Sequence, residues 1–341
     1  MLHFECDYTK GAHPAVLENL CADNLSSHPG YGSDVHCSRA AELILDECGL
    51  ADGRVFFLSG GTQTNATVID ALLRPWQGVV CADSGHIAVH EAGAVEASGH
   101  KVITIASDDG KVSACSLRKM LESFYSDSTW PHMVIPGMVF LSHPTELGSL
   151  YSVRELKEIS EICRQYSLPL YIDGARLIYG LASDETDVDL KAMAGIADVF
   201  YIGGTKAGCL FGEAIVCRNA DLLPEFFTLI KQHGALLAKG WLLGLQFEAL
   251  FTDGLYRAIG RNAIDMAIKL KEGFLSKGYR LHVDSPTNQQ FVILPNEVVD
   301  RLMPDVGFSI WGERGERETI VRFVTDWSTR DEDVSALIAM L

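Results

Sequence analysis

The sequence predicts an α/β fold, with a large domain built on a mostly parallel sheet covered by helices and a small C-terminal α+β domain. Between residues 55 and 217, short apolar runs alternate with helical patterns. Continuous apolar runs of this kind are typical of parallel strands that are buried on both faces. After residue 217 helical patterns dominate, and strands return only near the end of the chain. We therefore expect a large domain over residues 1–240, including the N-terminal segment, and a small domain over residues 241–341.

The large domain is expected to contain seven strands joined mostly by helices. The predicted strands are Val55–Leu58, Val79–Ala82, Lys101–Ile105, Met138–Ser142, Leu168–Ile172, Asp198–Ile202 and Glu213–Cys217. The predicted helices between them are Asn65–Leu73, Ser116–Phe124 and Val153–Tyr166. Ligands of such sheets bind beyond the carboxyl ends of the strands. Polar side chains that follow these strands are therefore expected to converge.

The last part of the chain has a different pattern, and a long helix is expected to link the two domains. The predicted helices are Leu222–Lys231, Leu236–Leu250, Leu255–Lys277, Val298–Leu302 and Asp331–Leu341. The predicted strands are Tyr279–Val283, Gln289–Leu294 and Thr319–Thr325. Either Thr329 or Asp331 is the expected N-cap of the final helix.

Composition excludes several classes of protein. The formal net charge of the 341 residues is −17, which disfavours binding to nucleic acid or to an anionic membrane surface. No apolar stretch is long enough to span a bilayer, and the N-terminus lacks the pattern of a signal peptide. The nine cysteines form no CxxC pair and no metal-ligand spacing. We therefore expect a cytoplasmic protein with reduced cysteines and no metal site.

Two residues that follow neighbouring predicted strands form the main chemical signal. Lys206 lies in the segment FYIGGTKAG, just past a strand and two glycines, where burial would lower its pKa and favour reaction with an aldehyde. Asp173 ends the preceding strand, where a buried carboxylate needs a cationic partner. The alternatives are a surface lysine in a turn, and an aspartate that caps the next helix or pairs with Arg176. The interval of one crossover lets Asp173 and Lys206 face two ends of one planar ring, as pyridoxal phosphate requires.

Two further segments follow strands and precede helices. Gly60, Gly61 and Thr62 offer backbone N–H groups, a hydroxyl and a helix N-terminus, which is a typical phosphate-binding arrangement. An ordinary glycine turn with Thr62 as N-cap is the alternative. His86 opens the next helix, where its ring is suited to stack on an aromatic cofactor or to act near the substrate.

An arginine stands within an apolar strand of the small domain. Arg322, in TIVRFVTDW, requires an anionic partner, and a substrate carboxylate would form a bidentate pair with it. A structural ion pair is the alternative.

These segments, in this order, resemble the threonine aldolase / β-eliminating lyase family of fold type I pyridoxal-phosphate-dependent enzymes. The likeness covers nearly the whole chain and is strongest at LSGGTQTN, HIAVHEAGA, YIDGARL, GGTKAG and VRFVT. The resemblance implies a pyridoxal 5′-phosphate cofactor, an amino-acid substrate, and homodimers or homotetramers with active sites at the subunit interface, where Tyr31 would lie.

The resemblance also implies roles for individual residues. Lys206 would form the Schiff base with the cofactor, and Asp173 would pair with its pyridine nitrogen. The cofactor phosphate would be held by Gly61 and Thr62, next to Gly60. His86 would stack on the ring, and the substrate carboxylate would bind Arg176 and Arg322, with Arg176 also close to the cofactor.

Two positions differ from the family pattern. Cys6 stands where the family has a serine near the substrate carboxylate, and Glu146 stands near the place of a second active-site histidine. The expected reaction is retro-aldol cleavage of threonine or allo-threonine to glycine and an aldehyde such as acetaldehyde. Candidate bases are His86, Glu146 or a water molecule held by them.

Other functions remain open at this point. The same fold supports aminotransferases and β-elimination lyases. A nucleotide-binding oxidoreductase is disfavoured because no strand is followed by GxGxxG. A non-catalytic relative is disfavoured because the buried charges of Lys206, Asp173 and Arg322 would cost stability.

Overall fold

The computed structural model describes all 341 residues. Its strands are β1 Leu2–His3, β2 Arg54–Leu58, β3 Gln77–Ala82, β4 Lys101–Ile105, β5 Ile135–Ser142, β6 Leu170–Asp173, β7 Val199–Gly203, β8 Glu213–Cys217, β9 Arg280–Val283, β10 Gln289–Pro295, β11 Val306–Gly307, β12 Ser309–Ile310 and β13 Glu318–Val324. Its α-helices are α1 Pro14–Asp23, α2 Val35–Cys48, α3 Gly61–Leu72, α4 His86–Val89, α5 Ala94–Ala97, α6 Ala114–Ser126, α7 Val153–Gln165, α8 Leu177–Leu181, α9 Leu190–Ile196, α10 Phe226–Gln232, α11 Trp241–Phe251, α12 Leu255–Ser276, α13 Asn296–Leu302 and α14 Asp331–Met340. No helix is long and apolar enough to cross a membrane.

A seven-stranded sheet forms the centre of the molecule, with the strand order β2-β8-β7-β6-β5-β3-β4. Strands β3 to β7 are parallel where they pair, whereas β8 is antiparallel to both of its neighbours, β7 and β2. Separate apolar clusters cover its two faces, which explains the continuous apolar runs in the sequence. The predicted α/β class and the mostly parallel sheet are confirmed.

A second sheet of four antiparallel strands, in the order β12-β13-β10-β9, lies in the C-terminal part of the chain. Its apolar cluster includes Phe4, and β1 pairs with β11. The first residues of the chain therefore pack with the C-terminal sheet, which no local sequence pattern indicated. The boundary at residue 240 stays a prediction.

Two helices in the C-terminal part of the chain begin later than the sequence predicts. The helix predicted at Leu222–Lys231 begins only at Phe226. Pro224 disfavours helical conformation in Leu223, and the N-cap Glu225 has a left-handed backbone conformation with φ of 53°. The helix predicted from Leu236 begins at Trp241, after Gly240 approaches the backbone of Gly32 so closely that a Cβ atom would lie 2.5 Å from it.

The final helix has Arg330 as its N-cap, not Thr329 or Asp331. The Thr329 hydroxyl instead accepts a hydrogen bond from the backbone N–H of Asp326, at 2.8 Å. Because this hydroxyl bonds to the preceding turn, it does not cap the helix.

Candidate active site

The polar residues predicted from the sequence meet at the carboxyl ends of the parallel strands. A cavity of about 350 Å³ opens there. Eight predicted site residues line it: Gly60, Gly61, Thr62, His86, Glu146, Asp173, Arg176 and Lys206. Each follows the carboxyl end of β2, β3, β5, β6 or β7 or, for Asp173, forms that end. The ninth, Arg322 on β13, does not line this cavity.

Lys206 lies three residues beyond β7 and is partly buried. Its backbone carbonyl accepts a hydrogen bond from the Tyr179 hydroxyl at 2.5 Å, whereas its Nζ makes neither a hydrogen bond nor a salt bridge. Burial, followed by the charge of Arg176, lowers the pKa of the Lys206 amine. A buried amine with a lowered pKa and no partner is a better nucleophile than an ordinary surface lysine.

Asp173 forms the end of β6, which pairs in parallel with β7. This arrangement confirms that Asp173 and Lys206 follow neighbouring strands. The carboxylate is only 4% exposed and accepts hydrogen bonds from Asn65 Nδ2 at 2.9 Å and from the backbone N–H of Ala175 at 2.9 Å. It has no cationic partner within the chain, so it does not pair with Arg176.

His86 and Asp173 belong to one hydrogen-bonded network. Nδ1 of His86 lies 2.7 Å from Oε1 of Glu91, and Asn65 Nδ2 donates both to Glu91 at 2.7 Å and to Asp173. The Tyr171 hydroxyl donates to Asn65 Oδ1 at 2.8 Å, which fixes the amide orientation. Burial lowers the pKa of His86, but the hydrogen bond to Glu91 and the charge of Asp173 outweigh burial and raise it.

The N-terminus of α3 forms one wall of the cavity. Gly60 is its N-cap and provides no side-chain hydrogen bond to the first turn. A Cβ atom on Gly60 would contact nothing within 4 Å, whereas one on Gly61 would lie 3.2 Å from the Tyr201 hydroxyl. The free N–H groups and the dipole of this 12-residue helix can therefore accept an anion directly.

Glu146 lies on the loop after β5 and faces the residue that opens α4. Its Oε1 accepts hydrogen bonds from the backbone N–H of His86 at 2.8 Å and from the Ser142 hydroxyl at 2.6 Å. Its Oε2 is buried without a partner. Burial raises the pKa of the Glu146 carboxyl despite these hydrogen bonds.

Arg176 forms a bidentate ion pair with Asp7, a residue that the sequence analysis did not single out. The distances are 2.7 Å from Nε to Oδ2 and 3.0 Å from Nη2 to Oδ1. Burial would raise the pKa of Asp7, but the charges of Arg176 and Lys206 lower it to about 2. Asp7 thus uses some of the N–H donors of Arg176 that were predicted to bind a substrate carboxylate.

Arg322 has no carboxylate partner. Its Nη1 donates to Gln289 Oε1 at 3.1 Å, its guanidinium lies 5.2 Å from the ring centre of Trp311, and its Nε is buried without a hydrogen-bond acceptor. Burial and the nearby charge of Arg176 lower the pKa of Arg322. Arg322 therefore does not form the structural ion pair that was the alternative. Its guanidinium lies near that of Arg176 and has no anionic partner.

Glu213 is a site residue that the sequence analysis missed. It starts β8, and because β8 is antiparallel to β7, its pairing with Gly203 places it at the same edge of the sheet as Lys206. The side chain is 4% exposed, accepts a hydrogen bond from the Thr205 hydroxyl at 3.0 Å, and lines the cavity. Burial raises its pKa. A carboxylate at the start of the otherwise apolar run EAIVC was the signal that could have revealed it.

The cavity fits pyridoxal 5′-phosphate on three independent features. It presents an amine without a partner at Lys206, a buried carboxylate without a cation at Asp173, and an open helix N-terminus at Gly60–Gly61. These are complementary to the aldehyde, the protonated pyridine nitrogen and the phosphate of the cofactor. A larger cavity of about 770 Å³, lined by residues such as Leu43, Tyr256 and Arg257, contains no comparable set.

Comparison with known proteins gives a consistent result. The family model of β-eliminating lyases matches residues 4–285. The chain is 30% identical to a low specificity L-threonine aldolase of a Pseudomonas species, over 98% of this chain and 96% of that protein. It is 29% identical to the Pseudomonas aeruginosa protein of the same description, over 98% and 95%.

Solved structures agree with these relatives. The structure of Leishmania major threonine aldolase is 42% identical and superposes with a TM-score of 0.96, covering 99% of this chain and 98% of that one. The cavity residues and this similarity lead to one conclusion: the chain belongs to the β-eliminating lyase family, whose members depend on pyridoxal phosphate.

Proposed function

We propose that this protein is a pyridoxal-phosphate-dependent carbon–carbon lyase that cleaves threonine and allo-threonine to glycine and acetaldehyde. The single observation that supports it best is that one cavity contains both the Lys206 amine, which has no hydrogen-bond partner, and the buried Asp173 carboxylate, which has no cationic partner. The threonine aldolases among its relatives favour the retro-aldol reaction over transamination or β-elimination.

The cofactor would be held by residues on four sides of the cavity. Lys206 would bind it covalently, Asp173 would keep its ring nitrogen protonated, and the N-terminus of α3 at Gly60, Gly61 and Thr62 would bind its phosphate. His86 would lie against the ring. When bound, the cofactor supplies an electron sink for the charge left at the substrate Cα.

The two arginines would orient the substrate. Arg322 has a buried Nε without an acceptor and lies close enough to Arg176 for each charge to affect the other. A substrate carboxylate between the two guanidinium groups would reduce their mutual repulsion and accept hydrogen bonds from them. Because Asp7 already engages Arg176, we assign Arg322 the larger share of this binding.

His86 is the base that the geometry favours for the β-hydroxyl proton. Its Nδ1 is engaged by Glu91 at 2.7 Å, which orients the ring and leaves Nε2 as the exchangeable position. Glu146 has a buried Oε2 without a hydrogen-bond partner, so its carboxyl group can position a water molecule or the hydroxyl.

We also propose that the protein functions as a homodimer or homotetramer, as the family resemblance implies. Tyr8 lines the cavity although its side chain is 58% exposed, which supports completion of the site by a second subunit. All nine cysteines are free thiols, which supports a reducing compartment such as the cytoplasm.

The test combines an absorption spectrum with product analysis. Wild-type protein reconstituted with pyridoxal phosphate is expected to be yellow and to release acetaldehyde and glycine from threonine. Lys206→Ala is expected to lose both properties, because no amine remains to bind the cofactor covalently. Lys191→Ala, at an exposed lysine on α9, is the matched control and should retain both. Colourless wild-type protein, or a keto acid as the product, would contradict the proposal.

A further inference from the structure

A second cluster of chemically active side chains lies outside the candidate active site. Asp23 ends α1, His28 lies in the following loop, His36 is in the first turn of α2, and Glu248 is on α11. The potential ligand atoms of Asp23, His28 and His36 all lie within 4.8 Å of one another. None of the four residues lines the cavity that contains Lys206.

The hydrogen-bonding pattern of the cluster requires more positive charge than neutral side chains provide. Oδ2 of Asp23 contacts Nε2 of His28 and lies 3.2 Å from Nε2 of His36, while Nδ1 of His36 lies 2.6 Å from Oε2 of Glu248. A neutral imidazole has only one N–H. Since both nitrogens of His36 face carboxylate oxygens, a neutral ring can donate to only one of them. The missing positive charge at the other contact is supplied by a second proton on His36 or by a metal ion.

Glu248 and Trp241 orient the two rings. The Glu248 carboxylate at Nδ1 of His36 selects the tautomer whose Nε2 lone pair faces Asp23 and His28, which is the usual role of a carboxylate behind a metal-binding histidine. The His28 ring packs against Trp241, with ring centres 4.9 Å apart. The ring nitrogens therefore converge on one point before any ligand is added.

We propose that Asp23, His28 and His36 bind a zinc ion, with Glu248 positioning His36. Two imidazoles and one carboxylate are borderline ligands that suit Zn²⁺ better than Ca²⁺ or Mg²⁺, which prefer oxygen ligands only. The two carboxylates give the cluster a formal charge of −2 that a divalent cation neutralises. This ion would join α1, the loop after it, α2 and, through Glu248, α11.

The sequence did not reveal this site, and no metal was expected from it. The intervals of 5 and 8 residues between the three ligands match none of the standard zinc spacings. Only the packing of α11 against both α1 and α2 brings these residues together.

The experiment uses the pyridoxal-phosphate-loaded protein after dialysis against a chelator, without substrate. Titration with Co²⁺ is expected to give one ion per chain with visible ligand-field absorption, which Zn²⁺ then displaces. Glu248→Gln should weaken Co²⁺ binding by about 10–100-fold, the usual effect of removing such a supporting carboxylate. The His28→Ala/His36→Ala double variant should abolish it. The cofactor absorption band of each variant reports that the protein is folded.

Two control variants distinguish this site from other metal ligands. Cys21→Ser removes an exposed thiol two residues from Asp23, and His132→Ala removes an exposed histidine elsewhere, so neither should change binding. The inference is overturned if wild-type protein binds no stoichiometric Co²⁺ or Zn²⁺. It is equally overturned if the double variant binds as tightly as wild type, or if Cys21→Ser alone abolishes binding.

Discussion

Asp7 shows how one buried carboxylate joins parts of the chain that are distant in sequence. It pairs with Arg176 after β6 and accepts a hydrogen bond from Asn288 Nδ2, next to β10, at 3.0 Å. Both carboxylate oxygens of Asp7 accept hydrogen bonds, and the ion pair is buried. Removal of one partner would therefore leave an uncompensated buried charge.

Asp7→Asn is therefore expected to destabilise the protein by about 3–5 kcal/mol, because Arg176 would be left buried without an anionic partner. Stability should also depend less on pH. The pKa of Asp7 falls from 3.8 to about 2 on folding, so its charge contributes about 2 kcal/mol above pH 4, which is lost as the pH falls towards 2.

Urea unfolding of wild type and Asp7→Asn between pH 2 and 6 measures both effects. The difference between the two proteins should shrink as the pH falls below about 4. A difference that is constant over this range would show that the Asp7 charge does not stabilise the fold.

Glu213 is expected to tune the reactivity of Lys206. Its charge raises the pKa of Lys206, in opposition to burial and to Arg176. Because burial raises the pKa of Glu213 to about 8, this charge acts on Lys206 mainly above that pH. There Glu213→Gln should lower the pKa of Lys206 further, and the apoprotein should take up pyridoxal phosphate faster than wild type does.

The measurement is the rate of cofactor uptake, followed by absorbance, as a function of pH. Glu213→Asp retains a carboxyl group and is expected to stay near the wild-type profile. A profile that moves to higher pH in Glu213→Gln would contradict the assigned direction.

At the level of secondary-structure elements, the close approach of the chain after β6 to β7 depends on a glycine. A Cβ atom on Gly174, directly after β6, would lie 1.9 Å from the backbone oxygen of Tyr201 in β7. The turn that follows Asp173 therefore packs directly against the strand that leads to Lys206.

Gly174→Ala is expected to destabilise the protein by about 3 kcal/mol or more, because backbone must move to accept the methyl group. Gly195→Ala is the matched control, since a Cβ atom there, on an exposed position of α9, would meet nothing within 4 Å. That change should stabilise by about 0.5–1 kcal/mol. Urea unfolding checks both, and equal stability of the two variants would refute the close approach.

At the level of the whole molecule, a group of exposed apolar side chains is a candidate for the proposed subunit interface. Leu25 is 94% exposed, and Tyr31 and Phe227, which are 44% and 51% exposed, line a common cavity. Exposed aromatic side chains in such a group are typical of protein–protein contacts.

Phe227→Asp is expected to dissociate the proposed homo-oligomer and to lower activity, because a charge would be buried in the interface and the site would lose its neighbour. Met303→Asp, at a similarly exposed position beyond α13, is the control and should keep the wild-type mass. Sedimentation equilibrium measures the mass, and a monomeric wild type would contradict the prediction.

The sequence by itself determined the sheet class and most of the active-site candidates. Its apolar runs and the residues that follow them are local signals, and parallel strands bring their carboxyl ends to one edge. The sequence alone therefore predicts that Asp173, Lys206 and His86 lie close together.

Only the tertiary structure decided the partners of the charged groups. The pairing of Asp7 with Arg176, the position of Glu213 at the edge of an antiparallel strand, and the convergence of Asp23 with two histidines depend on contacts between distant segments. No local pattern encodes such contacts, because chain reversal and packing set the distances between side chains, whereas periodicity sets only which face of an element is buried.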